Sequence, residues 1–320
     1  EQAKKTLSIR ERAQDDFMVF AKHVYEGFIE GSHHSQVAKQ FEKLAKNPGS
    51  RIIVNMPPRH TKSEFASYLL PAWLIGKNPK LKIIQTTHTA ELAVRFGRKV
   101  RNLMELEIYK EIFPDVNLRV DSKAAGRWET GQGGEYYAAG VGGAITGRGA
   151  DLLIIDDPHS EQDALSETAM ENAYEWYTSG PRQRLQPGGS IVVVMTRWSL
   201  KDLTGKLIRA QASDVMSDQW DMVEFPAILP SGNLLWPEFW KKEELLRVKA
   251  SLSLSGGTSG RRRLFLLLVT LCRVMTRRFR RRRRRITRLL RRGVYSSRRR
   301  VVRTTSFCWM RIAGGGISLN

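Results

Sequence analysis

The chain has 320 residues, 41% of them hydrophobic, enough for one large domain or two small ones. Its net charge of +21 points to a nucleic-acid partner, but all 32 acidic residues and all but 20 of the 53 basic ones lie in residues 1–254. That stretch is therefore close to neutral, a balanced globular protein, which excludes a uniformly basic binding surface.

In chain order, residues 7–29 read as an amphipathic helix, with Phe17, Phe20, Ala21, Val24 and Tyr25 at helical spacing. Gly31 and Ser32 break it, and a second short helix is expected over 35–44. A turn at Asn47-Pro-Gly-Ser follows. Beyond it, short apolar runs alternate with helical patterns. The runs are 52–54, 81–84, 152–155, 191–195 and 222–225; the helices are expected over 62–74, 90–104, 166–184 and 200–210. Runs this continuously apolar suit strands covered on both faces, so the fold class is α/β, with three layers. Residues 135–149 hold five glycines and read as a strand leading into a flexible loop.

The first of these strands runs into Asn55-Met-Pro-Pro-Arg-His-Thr-Lys-Ser63, with a helix after it, the order of a phosphate-binding loop. A helix N-terminus offers free N–H groups and positive dipole, Lys62 adds a charge for the terminal phosphates, and Ser63 offers a hydroxyl to Mg²⁺. The strict pattern wants glycines where Met56 and Thr61 stand. From this segment alone a helix cap, with Thr61 as the cap and Glu64 three residues on, is an equal reading.

The 152–155 strand ends in Asp156-Asp157-Pro158. Ligands of open α/β sheets sit at the carboxyl ends of the strands. A nucleotide motor needs one carboxylate for the Mg²⁺ shell and another to orient or deprotonate water; Asp156 fits the first role and Asp157 the second. In isolation the pair is also an ordinary turn. The 191–195 strand ends in Thr196-Arg197-Trp198, which reads equally as a γ-phosphate sensor and as plain strand termination. Arg148, flanked by Gly147 and Gly149, is a candidate arginine finger or a solvated loop Arg, and Arg59 is the rival finger inside the loop itself. His33 and His34 read as helix-boundary residues, and His60, His88 and His159 as polar groups near the nucleotide.

Met56-Pro-Pro-Arg-His-Thr-Lys-Ser-Glu64, Thr146-Gly-Arg-Gly-Ala-Asp-Leu-Leu-Ile-Ile-Asp-Asp-Pro158 and Val194-Met-Thr-Arg-Trp198 together resemble the large terminase subunits of tailed bacteriophages and prophages. The resemblance runs in order from about Asp15 to about Leu254. It implies a P-loop ATPase of the additional-strand, helicase-like class, with an N-terminal helical segment over 1–50 and the ATPase domain over 51–254. It implies ATP and Mg²⁺ as cofactors, with Pro58, Arg59, His60, Thr61, Lys62 and Ser63 around the phosphates and Ser63 and Asp156 on the metal. Asp157, Thr196 and Arg148 are the catalytic residues it implies, Thr196 as the coupling motif and Arg148 acting on a neighbouring subunit; Arg59 joins the catalytic set as the rival finger read from the loop. The partners implied are double-stranded DNA, a small terminase subunit and the portal protein of the procapsid. A homo-oligomeric ring would work on that portal, in the cytoplasm of the infected bacterial host and without a membrane. Many relatives carry Glu where Asp157 stands. Two rivals remain: a helicase-like remodelling ATPase, which needs a second motor domain, and a non-enzymatic basic nucleic-acid binder.

Residues 255–320 carry 20 Arg and no Asp, Glu, Lys, Gln, His or Pro, and both cysteines, Cys272 and Cys308. The rest of the chain is thus without a disulfide or thiolate metal site, as in an intracellular protein. The family's nuclease domain, which needs clustered carboxylates, is not expected here. Arg280 to Arg285 run unbroken, so the tail reads as a basic arm or, better, as out-of-frame translation, and as no folded domain. Its apolar run, 264–272, is interrupted by Thr270 and too short to cross a bilayer, and no segment reads as a signal peptide.

Overall fold

The structure, a computed structural model, describes residues 2–145 and 147–254; the expectations for Thr146 and for 255–320 lie outside the described residues. Three helices come first: α1 (Gln2–Asp15), α2 (Phe17–Val24) and α3 (Ser32–Lys46). The single helix expected over 7–29 is therefore two. Asp16 interrupts it, because its carboxylate accepts from the Val19 N–H at 2.9 Å and starts a new helix. Then follow β1 (Arg51–Asn55), a π-helical turn (Glu64–Leu69) running into α4 (Leu70–Lys77), β2 (Lys82–Thr87), α5 (Ala90–Glu105) and α6 (Glu107–Ile112). The second half holds β3 (Leu118–Ala124), β4 (Arg127–Thr130), β5 (Glu135–Gly140), β6 (Ala150–Asp156), α7 (Glu167–Ser179), β7 (Leu185–Met195), α8 (Leu203–Ser213), β8 (Asp221–Glu224) and α9 (Lys242–Leu254).

The helix expected over 166–184 ends early because Gly180 and Pro181 cannot continue it, and a 3₁₀ turn (Pro181–Arg184) takes over. The helix expected from 200 starts at Leu203, where Asp202 caps it by accepting from the Gly205 N–H at 2.8 Å.

The strands form one sheet in the order β3-β4-β5-β2-β6-β7-β1-β8. From β5 to β8 every neighbouring pair is parallel, and β4 and β3 close one edge antiparallel. Successive residues of the central strands bury on opposite faces. Ile52, Val54, Leu152, Ile154, Val192 and Val194 join a core with side chains of α1 to α6, while Ile53, Leu153, Ile155, Ile191 and Val193 pack on Tyr177, Leu203 and Leu207 of α7 and α8. This gives three layers, and side chains of the first 50 residues share the first core with the sheet. No described helix is long and apolar enough to cross a membrane.

Candidate functional site

Strand β7 lies between β1 and β6, and the three end level, with Asn55 opposite Met195 and Asp156 opposite Val194. The loop after β1, the acidic pair after β6 and Thr196 after β7 therefore meet at one carboxyl edge of the sheet. Parallel strands orient all three loops the same way, which is why residues so distant in sequence converge.

The convergence is made by four hydrogen-bonded or ionic contacts. Lys62 Nζ is 2.7 Å from Asp157 Oδ2, and Asp157 Oδ1 accepts from the Thr196 backbone N–H at 2.7 Å. Ser63 Oγ donates to Asp156 Oδ1 at 2.9 Å, and Ser67 Oγ donates to Asp156 Oδ2 at 2.7 Å. Gln85 Nε2 in turn donates to Ser67 Oγ at 2.8 Å. Asp156 is fully buried, and burial together with the neighbouring Asp157 raises its pKa to about 7. Ser67 and Gln85 escape a reading by motif. Ser67 stands one helical turn after Ser63, a spacing that does put both hydroxyls on one helix face.

Ser67 falls in the π-helical turn, where the Leu70 N–H bonds back five residues to Phe65. Pro71 lies just beyond; it has no N–H to bond the preceding turn, and an α-helical ring would press it against a carbonyl there.

The loop over 56–63 departs from ordinary backbone at two points: Arg59 has φ 58° and Thr61 φ 66°. Thr61 is one of the two residues standing where the strict pattern has glycine, and for a β-branched side chain the left-handed region costs about 1–3 kcal/mol. Its side chain caps no helix. Thr61 Oγ1 donates to the His60 carbonyl at 2.6 Å, which removes the helix-cap reading of this segment. Asp157 is the third such residue, at φ 42°.

Pro58 and Arg59 are exposed, and His60 is buried with Nδ1 donating to the Pro58 carbonyl at 2.8 Å. Arg148 is not with the others. Within this chain it is paired to Glu135 and stands 4.2 Å over the Tyr137 ring, and Glu135 opens β5 at the edge of the sheet opposite Asp156. Arg197 is held by Asp202, at 3.0 Å, and by the Ser199 carbonyl. His159 Nε2 accepts from the Leu203 N–H at 3.0 Å, tying the acidic loop to the start of α8, and His88 follows β2 at the same edge.

Beside the loop opens a pocket of about 370 Å³, lined by Tyr25, Phe28, Ile29, Arg59, Lys62 and Trp236 among others. Trp236 stacks on Phe239 at 4.4 Å, and Trp240 stacks on His60. This aromatic wall was not expected: three isolated aromatics after β8 carry no motif. His33 and His34 do begin α3, as expected, but they are wholly buried beneath the loop among Phe28, Phe65 and Trp236. No group of three or more His, Cys, Asp or Glu side chains gathers as a metal site among the described residues.

Burial lowers the pKa of His33 to about 4 and of His34 to about 3, from 6.5. Both folded values lie below the unfolded one, so the unfolded chain takes up protons first as pH falls. Stability from these residues is complete above about pH 6.5 and declines from there toward pH 4 and below. Between pH 7.5 and pH 5, His33→Leu should lose less melting temperature than the wild-type chain, with Asp156 contributing in the opposite sense to both proteins. The same change in wild type and variant would contradict this.

The arrangement defined so far is a mixed α/β, three-layer fold with a basic loop and an acidic strand end at one edge. No family model matches the chain, and no curated protein does. Among solved structures, the large terminase of bacteriophage HK97 matches with a TM-score of 0.43 at 15% identity, over 67% of this chain and 46% of that one. The chain thus spans less than half the length of that terminase.

Proposed function

We propose that the chain is a Mg²⁺-dependent ATPase whose hydrolysis drives double-stranded DNA, as in the motor part of a terminase. The observation that carries the ATPase reading is the pairing of Lys62 and Ser63, from the loop after β1, with Asp157 and Asp156, from the end of β6. The strand β7 inserted between β1 and β6 fits the additional-strand class, and it puts Thr196 directly on Asp157. The DNA-packaging reading rests on the three motifs in their order.

The residues present suit a hard dication: one hydroxyl, Ser63, and one carboxylate, Asp156, already in contact, the rest of the shell being left to phosphate and water. Mg²⁺ bound there would neutralise charge on the terminal phosphates. The loop N–H groups and Lys62 hold those phosphates, so Lys62 exchanges its contact with Asp157 for the nucleotide. Asp157 is then released to orient the attacking water, while the Thr196 N–H keeps its other oxygen fixed. The water oxygen forms a bond to the γ-phosphorus, the β–γ bridging P–O bond breaks, and ADP leaves with that bond's electron pair; the water proton passes to Asp157 or to phosphate. Tyr25, Phe28 and Trp236 offer aromatic surface for the base. Arg59 borders the same pocket and serves as a finger in its own subunit, whereas Arg148 could act only on a neighbour.

The purified chain should hydrolyse ATP with Mg²⁺ and not with EDTA, faster with linear double-stranded DNA present. Absence of Mg²⁺-dependent hydrolysis and of ATP binding would reject the ATPase reading. Hydrolysis indifferent to DNA would reject the motor reading alone.

A further inference from the structure

We propose that His34 is a positioning residue for the nucleotide loop, holding Thr61 in its left-handed conformation from the first turn of α3. The inference rests on the ATPase reading and extends it to a residue outside the loop. Two contacts fix the direction of the hydrogen bonds. The Gly31 N–H donates to His34 Nδ1 at 2.7 Å, so a neutral ring carries its proton on Nε2. That nitrogen is 2.6 Å from Thr61 Oγ1 and donates to it, and Thr61 Oγ1 donates to the His60 carbonyl at 2.6 Å. The chain runs one way, from the N-cap of α3 into the loop.

A glycine at position 61 would adopt positive φ without cost and would need no anchor. Threonine has to be held there, and its hydroxyl is the handle. Gly31 is itself constrained, because a Cβ on it would lie 2.5 Å from Trp236 Cδ1. The N-cap that orients His34 is therefore packed directly on the aromatic wall of the pocket. Ring packing alone does not explain His34: Phe28, Phe65 and Trp236 surround it at 4.9–5.1 Å, and a phenylalanine would fill that space. What a phenylalanine cannot do is accept from Gly31 and donate to Thr61.

The test is a double-mutant cycle on Mg²⁺-ATP affinity, measured by calorimetry on the full chain. His34→Phe keeps a ring and deletes both bonds; affinity should fall about tenfold, with KM rising more than kcat falls. Thr61→Val deletes the same bond from the loop side and should weaken binding comparably, which keeps the idea testable if His34→Phe does not fold. His34→Gln, which retains a donor at similar reach, should recover most of the affinity. In a Thr61→Gly background, His34→Phe should lose its effect on affinity, because glycine needs no anchor. An equal loss in both backgrounds would reduce His34 to core packing and overturn the proposal, as would wild-type affinity in His34→Phe and Thr61→Val. Should the wild-type chain bind no ATP, the ATPase reading falls, and the contact itself is still decided by histidine ¹⁵N spectra. They should show a slowly exchanging proton on Nε2 of His34 that exchanges rapidly in Thr61→Gly. Protonation on Nδ1 instead would overturn the contact.

Discussion

Lys62→Ala should abolish measurable ATP binding, a loss of about 100-fold or more, because a buried cation making charge-assisted hydrogen bonds is removed from the proposed phosphate site. Asp157→Asn should leave affinity within a few-fold of wild type and slow hydrolysis by roughly 10²–10⁴, the range for a general base. Asparagine suits this test, since Asp157 sits at φ 42° and Asn tolerates that region better than most residues. It also keeps an oxygen for the Thr196 N–H, so the geometry around the lost charge is disturbed little. Asp157→Asn should even bind ATP slightly tighter, because Lys62 no longer has to leave an ion pair of 2.7 Å to reach phosphate. Calorimetric titration and single-turnover kinetics on the two variants separate the roles. Equal loss of affinity in both would show that the pair acts as a unit and that the division between phosphate holder and water holder is wrong.

Much of this site was legible in the sequence because its chemistry is local. Lys62 and Ser63 follow a strand and open a helix, and Asp156 and Asp157 end an apolar strand; the short-range pattern carries each. The central strands were legible for the same reason, being apolar on both faces. What was not legible depends on contacts between distant segments. The partner of Thr61 lies in α3, and nothing within the loop announces it. Trp236 and Phe239 matter through the place to which the segment after β8 returns, which no periodicity encodes. The antiparallel edge of β3 and β4 was missed because it is largely polar, with Val120 and its neighbours facing solvent, so the strands lack the apolar signature of the centre. The break at Asp16 lies inside a continuous apolar stripe at helical spacing, and a single capping residue does not interrupt that pattern.

Asp156→Asn should separate stability from activity in opposite directions. The carboxylate is fully buried beside Asp157, with Lys62 as the nearby cation and two hydroxyls as hydrogen-bond donors. Its folded pKa of about 7 lies above the unfolded 3.8, so the folded chain holds a proton that the unfolded chain releases. This group therefore favours the folded state most at low pH, and its cost grows as pH rises from 3.8 to about 7. At pH 8 the ionised Asp156 carboxylate is a standing liability in the Mg²⁺-free protein. Asparagine removes that charge while still offering hydrogen-bonding atoms to Ser63 and Ser67, so the melting temperature without Mg²⁺ should rise by a few degrees. Hydrolysis should fall by roughly 10³ or more, because the negative charge that would hold the dication is gone. Mg²⁺ with ADP should raise the melting temperature of the wild-type chain and not of the variant, since a ligand stabilises only the form that binds it. A variant less stable than wild type at pH 8 without Mg²⁺ would mean that Asp156 is a structural hydrogen-bond hub and not a charge kept buried for the metal.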